Sequence, residues 1–197
     1  MEKKRVLLIS GMSGAGKSSA MSVLEDMGYH CIDSFPVQLL TLLTDLIQNS
    51  TDVRYNFTAL ATSAADFIDF IRAFKNTELD VRVLFLDASN DVLLHRYKST
   101  RRTHPLLLSN LSNSLDEAIQ MEREMFINYK DPAFLTIDTT FLYFKELKGK
   151  IEKYFAKSEV PVFTISFISF GYKHGVPLDA DLMFDVRFLP NPYWDVK

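Results

Sequence analysis

Between residues 11 and 18 the chain reads Gly11-Met12-Ser13-Gly14-Ala15-Gly16-Lys17-Ser18, a G-x-x-x-x-G-K-[ST] spacing. The chemistry that suits this spacing is phosphate binding. Glycines let the backbone N–H groups of the loop turn inward around an anion, and the positive end of the following helix supports the same charge. Lys17 is the catalytic cation expected to reach the β- and γ-phosphates, and the Ser18 hydroxyl is the expected ligand for Mg²⁺. The nucleotide contacts are therefore expected from Gly11, Met12, Ser13, Gly14, Ala15, Gly16, Lys17, Ser18 and Ser19.

Other charged residues are less tightly specified. Asp33 and Asp87 each follow an apolar strand, on the side where open α/β sheets hold ligands, so either can supply a carboxylate to Mg²⁺. Either can equally be a strand-end cap or turn former. No Asp-Glu pair follows a strand, so hydrolysis is expected to be slow. Arg96, Lys98, Arg101, Arg102 and His104 form the densest basic cluster. It has three readings: a phosphate lid built on Arg96, Arg101 and Arg102, a solvated helix face, or a small RNA patch. His174, Trp194 and the aromatics Phe167, Phe170, Tyr172, Phe184 and Phe188 read as structural.

The loop needs a strand before it and a helix after it, and the sequence supplies both. Val6 to Ile9 is an apolar run without alternation, as in a strand buried on both faces, and Ser18 to Met27 has helical spacing closed by Gly28. The alternation continues with a strand at 30–32, a helix at 37–48 begun at Pro36, a strand at 56–60, a helix at 64–74 and a strand at 81–86. Helices follow at 89–98 and 114–129, the second opened by a Ser114/Glu117 capping box, then a strand at 135–138 and a helix at 142–155. Alternation of strands and helices with right-handed crossovers predicts an α/β P-loop NTPase fold: a kinase-like parallel sheet with helices on both faces, occupying residues 1–156.

Residues 160–197 carry two further strand candidates, at 160–170 and 182–188, around the turn GYKHGVPLDAD. A piece below about 40 residues seldom builds its own core, so this is predicted to be an incomplete C-terminal α/β segment that needs a partner. Its apolar side chains make a homo-oligomer one expected outcome.

The bulk numbers set bounds. At 197 residues and 47% hydrophobic content the chain can bury a sizeable core. A net charge of -3 and a pI near 5.8 exclude a protein that coats nucleic acid by charge alone. Cys31 is the single cysteine, which excludes an intrachain disulfide and a zinc cysteine pair. The basic start followed by VLLIS is too short an apolar run for a signal peptide. No stretch reaches the roughly 18 apolar residues of a membrane helix, so a cytoplasmic location without membrane contact is expected.

Several segments together resemble the RapZ/YvcJ family of P-loop nucleotide-binding proteins, whose enterobacterial member is an RNase adapter. They are GMSGAGKS with LEDMGY, YHCIDSFP, FLDAS with RYKSTRRTHPL, and SFGYKHGVPLDADLMFDVRFLPNPYWD. The resemblance implies a kinase-like N-terminal domain that binds ATP and GTP with weak hydrolysis. It also implies a C-terminal module that in some members senses an aminosugar phosphate and contacts small RNA, so RNA and protein partners enter by resemblance. Two departures bear on these expectations. The family's Asp-Val-Arg triplet for guanine nucleotides is replaced by Phe57-Thr-Ala-Leu-Ala-Thr62, which weighs against GTP. The family's glycine-rich stretch past FLPNP is absent, and Tyr193 stands where the sensor histidine is expected, leaving Thr164 and His174 of that set. Three functions follow: a nucleotide-binding regulator, a phosphotransferase of the nucleoside-monophosphate-kinase type, and an RNA-binding adapter.

Overall fold

The computed structural model describes residues 3–75, 77–127, 134–157, 167–171, 173, 175–177 and 180–188. Five parallel strands form its frame: β1 Arg5–Gly11, β2 His30–Ile32, β3 Phe57–Ala61, β4 Asp80–Asp87 and β5 Leu135–Asp138. Their spatial order is β2-β3-β1-β4-β5. The central position of β1 follows from its composition. Val6, Leu7, Leu8 and Ile9 are fully buried, so the strand must be covered on both faces and paired on both edges. Because β3 lies on one side of β1 and β4 on the other, the crossovers change direction at its C-terminal end, the switch point where open α/β sheets bind ligands.

The helices are α1 Lys17–Asp26, α2 Leu40–Asn49, α3 Phe67–Phe74, α4 Asn90–Thr100, α5 Pro105–Leu108, α6 Leu115–Phe126 and α7 Phe144–Phe155. They cover both faces of the sheet, with α1 against α7, α2 against α3 and α4 against α6. The α3 face shows why the packing is specific. Phe67, Phe70 and Phe74 recur at helical spacing and are buried, and Phe67 and Phe85 meet Phe126 edge-on at 6.1 and 4.9 Å. Burying each such ring contributes about 1.5–3 kcal/mol. Across the sheet the Tyr29 hydroxyl donates to the Phe155 carbonyl at 2.8 Å and ties the end of α7 to the start of β2. Burial, with the nearby Glu25 charge, pushes the Cys31 thiol up to about 11, in keeping with an unreactive, half-buried side chain.

The element pattern read from the sequence holds, with local differences that have causes. Residues 37–39 form a 3₁₀ turn before α2, and α3 starts at Phe67 because Ser63 and Asp66 hold a turn ahead of it. Ser114 caps α6, but Glu117 reaches back to the Asn113 N–H at 2.8 Å rather than to that of Ser114. The expected end of α6 near residue 129 lies outside the described residues. α5, a single turn with Pro105 at its first position, had no periodicity to announce it.

The chain divides into two compact units, Met1–Glu159 and Val160–Lys197. In the second unit the strand expected at 182–188 does not form: these residues carry no ladder pairing, and Leu182, Phe184 and Phe188 are exposed. Residues 167–170 are not a strand either. The rest of that candidate, at 160–166, lies outside the described residues, as do Thr164, Tyr172, His174, Tyr193 and Trp194.

Candidate functional site

The loop from Gly11 to Gly16 joins the C-terminal end of β1 to the first turn of α1. Gly11, Gly14 and Gly16 all have positive φ, at 128, 87 and 106°. Gly11 is compulsory on a second ground: a Cβ there would stand 2.0 Å from the Leu86 carbonyl oxygen of β4. The loop turns where it does because the sheet leaves no room for a side chain at its first position.

Lys17 folds over the loop and donates to the carbonyls of Gly11 at 2.6 Å and Met12 at 3.2 Å. Burial lowers its ammonium below the usual lysine range, against the pull of Glu122 and Asp33. A phosphate chain beside it would replace carbonyl dipoles with full negative charge.

Three side chains absent from the motif brace the loop. Glu122 of α6, 3% exposed, accepts from the Ser13 N–H at 2.8 Å and from the Ser13 hydroxyl at 2.6 Å. His104, fully buried, faces the same carboxylate at 3.2 Å through Nε2. Its Nδ1 accepts from the Leu106 N–H at 3.2 Å, which puts the proton on Nε2 and makes it the donor to Glu122. Burial alone would raise the Glu122 carboxyl, but the bonds from His104 and Ser13 and the charge of Lys17 together hold it below the usual range. Thr139, just past β5, donates to the Ala15 carbonyl at 2.9 Å.

Arg96 of α4 reaches the loop directly. It donates to the Gly14 carbonyl at 3.0 Å and to the Thr139 carbonyl at 2.8 Å, so one guanidinium joins the P-loop to the end of β5. The rest of the basic cluster behaves differently. Arg101 closes α4 in a left-handed conformation (φ 53°), and Lys98, Arg101 and Arg102 are exposed. His104, counted with them in the sequence, turns inward to Glu122 because Pro105 starts α5 immediately after it.

The two carboxylates expected near Mg²⁺ separate by environment. Asp87 is paired with Arg123 at 3.0 Å, and Arg123 also holds the Ala88 carbonyl at 2.7 Å, so this aspartate knits β4 to α6. Asp33 lines the same cleft as Lys17 and Ser18. Among the described residues no group of three or more His, Cys, Asp or Glu is gathered. The oxygen donors Ser18 and Asp33 fit Mg²⁺, a hard ion that takes its remaining ligands from phosphate and water.

Two clefts open on either side of the loop. One, of about 220 Å³, is walled by Gly14, Ala15, Gly16, Ser19, Arg96, Thr139 and the Leu142–Leu147 corner with Tyr143 and Phe144. The other, of about 480 Å³, lies beyond Lys17 and runs from Ser13 and Ser18 past Asp33 to Thr62, Ser63 and Asp66.

Residues 4–159 match the model of the RapZ-like N-terminal domain, and residues 163–197 that of the RapZ C-terminal domain. The chain belongs to the RapZ-like family. It is 41% identical over 194 residues to a nucleotide-binding protein of Aliivibrio fischeri (strain MJ11), covering 97% of this chain and 68% of that one. It is 44% identical over 200 residues to one of Staphylococcus aureus (strain bovine RF122 / ET3-1), covering 98% and 66%. This RapZ-like chain thus spans about two-thirds of the length of these curated relatives.

In three dimensions the chain is similar to an unliganded sugar kinase from Janibacter sp. HTCC2649. The TM-score is 0.51 at 14% identity, covering 77% of this chain and 94% of that one. A putative kinase from Chloroflexus aurantiacus gives 0.50 at 11% identity, covering 77% and 98%. These likenesses establish the kinase-like α/β fold. No helix among the described residues of the RapZ-like chain is long and apolar enough to cross a membrane.

Proposed function

We propose that the first unit of this RapZ-like chain binds ATP with Mg²⁺ through the Gly11–Ser19 loop, hydrolyses it slowly, and acts as a nucleotide-dependent regulator rather than a vigorous ATPase. The observation that carries the reading is the braced loop: strand, glycines and Lys17 form an anion cradle held from outside by Glu122, Thr139 and Arg96. In this reading the base takes the smaller cleft, against the Arg96 guanidinium and the Tyr143 and Phe144 rings, and the phosphates run along the loop toward Lys17. Mg²⁺, held by Ser18 and Asp33, would neutralise phosphate charge. No carboxylate or amide lines the smaller cleft to accept the guanine N1–H and N2–H₂ donors, which supports ATP over GTP.

Slow turnover follows from the same inventory. Asp87 is engaged by Arg123, Glu122 is spent on Ser13 and His104, and Asp66, the other carboxylate of the larger cleft, accepts from the Ser63 hydroxyl, which leaves Asp33 beside Lys17 and Ser18. Arg101 and Arg102, exposed past α4, remain candidates for a lid that acts when nucleotide is bound. Homo-oligomer, RNA or protein partners of the second unit belong to this reading by family. Binding titrations with ATP and GTP in Mg²⁺, run beside a phosphate-release assay, test it. Tighter ATP than GTP binding with slow release is expected; fast steady-state release without any acceptor would overturn the regulator reading.

A phosphotransferase is the second reading, favoured by the larger cleft where an acceptor would face the terminal phosphate. A nucleoside-monophosphate acceptor is disfavoured, because Lys17 is the only cation among the residues lining that cleft.

A further inference from the structure

The carboxylate that braces the loop is bonded to a hydroxyl, and that pairing has chemical as well as mechanical content. Of the loop serines Ser13, Ser18 and Ser19, only Ser13 donates its hydroxyl to a carboxylate among the described residues, at 2.6 Å from Glu122 Oε1. The other oxygen of Glu122 takes the Ser13 N–H at 2.8 Å and faces His104 Nε2 at 3.2 Å. Hydroxyl, carboxylate and orienting imidazole thus stand in a row, an arrangement that prepares a hydroxyl for attack.

The row ends where a terminal phosphate would lie. Ser13 is partly exposed and lines the larger cleft together with Lys17 and Ser18. Lys17 Nζ, the cation for that phosphate, is 3.2 Å from the Met12 carbonyl, in the peptide unit that joins Met12 to Ser13. Glu122 is shielded from water, at 3% exposure, whereas the serine it holds opens on the cleft. A carboxylate so placed is closed to an attacking water but already in contact with a competing nucleophile.

We infer that Ser13 is a phosphate acceptor: the terminal phosphoryl group of bound ATP passes to its hydroxyl, with Glu122 as proton acceptor and His104 as positioning residue. Ser13 Oγ forms the new bond to the γ-phosphorus, and the bond from that phosphorus to the β,γ-bridging oxygen breaks. ADP leaves with the electron pair, and the hydroxyl proton goes to Glu122. Burial opposes ionisation of Glu122, but His104, Ser13 and Lys17 keep it charged and ready to accept. It is a weak base, and the loose transition state of phosphoryl transfer asks little more.

The product limits itself. A phosphoserine carries a charge of about −1.5 to −2, which Glu122 repels and Lys17 attracts. The bond between Ser13 and Glu122 is lost, the new group takes the place of the terminal phosphate, and one transfer switches the loop off. The inference rests on ATP binding at this loop and adds to the regulator a state that outlasts the nucleotide.

The test uses the whole chain with Mg²⁺ and ATP labelled at the terminal phosphate, beside ATP labelled at the α-phosphate, with ATP affinity measured separately by calorimetry. Acid-stable label is expected from the first and none from the second, and peptide mass spectrometry places one phosphoryl group on Ser13. The fraction labelled per unit time is independent of protein concentration, since the transfer occurs within one chain. With ATP saturating for each variant, Ser13→Ala takes no label and Ser13→Thr, which keeps the hydroxyl, takes it at the same position. Glu122→Gln is labelled about 100-fold more slowly, the low end of what a positioned base contributes. Because that change also loosens the brace, Ser13→Ala decides the acceptor on its own.

ATP binding without label overturns the inference, as does label confined to Ser18, Ser19 or residues outside the loop. Labelling of Glu122→Gln at the parent's rate, or a rate that falls as the protein is diluted, overturns it too. Absence of ATP binding would overturn the nucleotide reading and this inference with it.

Discussion

At the scale of single residues, the loop depends on groups outside the phosphate motif. Glu122 is the clearest, a buried carboxylate serving the Ser13 N–H, the Ser13 hydroxyl and His104 Nε2. Its folded pKa is depressed, so the unfolded chain binds more protons as pH falls below the ordinary carboxylate value of 4.5. The stability it contributes is therefore fully present above that value and is lost as pH falls through the lower folded value. Glu122→Gln is expected to flatten this acid limb in denaturant titrations across the acidic range. It is also expected to cost about 1–3 kcal/mol at neutral pH, since an amide NH₂ placed against these donors cannot replace a carboxylate oxygen. An acid limb identical to the parent's would show that Glu122 does not bear on stability.

The place of Lys17 and Ser18, at the start of the helix that follows β1 and its glycine loop, was legible from spacing alone. Glu122 and His104 were not. Their roles depend on Glu122 meeting the loop across 109 positions of sequence and on His104 meeting Glu122 across 18, and a lone Glu in an amphipathic helix carries no mark of it. The one available signal was His104 before Pro105, where a side chain caps a helix starting at once.

At the scale of elements, the account turns on where β1, β4 and α4 meet. Gly11→Ala would drive a Cβ into the Leu86 carbonyl and hold alanine at φ near 128°, so β1 and β4 would have to part. A loss of about 4 kcal/mol or more, or failure to fold, is expected by circular dichroism and denaturant titration. Parent-like stability would mean that the two strands are not packed so closely. Arg96→Ala removes charge-assisted bonds from α4 to Gly14 and Thr139 and is expected to lower both thermal stability and ATP affinity. Arg101→Ala and Arg102→Ala are expected to affect turnover more than affinity and to leave the melting temperature unchanged, since these exposed side chains act only on a closed site. Equal effects of all three on melting would remove the distinction. Strand and helix order was readable here because buried parallel strands are continuous apolar runs. The shift of α3 to Phe67 was not, because Ser63 and Asp66 fit a helix start and a turn equally well.

At the scale of the whole molecule, the sheet, the braced loop and both clefts lie within Met1–Glu159. A chain ended after residue 157 is therefore expected to fold cooperatively and to keep its ATP affinity. It should also self-associate less than the full chain by light scattering, because Phe167, Leu182, Phe184 and Phe188 are exposed apolar groups of the second unit. The strand expected at 182–188 misled because β-branched and aromatic residues mark only a surface that packs, and a segment forms a strand only when a pairing edge is present.

Calorimetric titration of Mg²⁺·ATP into the parent and Lys17→Ala tests the central claim most directly. Saturable one-to-one binding is predicted for the parent. Lys17→Ala is predicted to weaken it roughly 10- to 100-fold with the fold intact, the loss of one charge-assisted contact of about 1.5–3 kcal/mol. Equal affinity in the two proteins would contradict nucleotide binding at this loop.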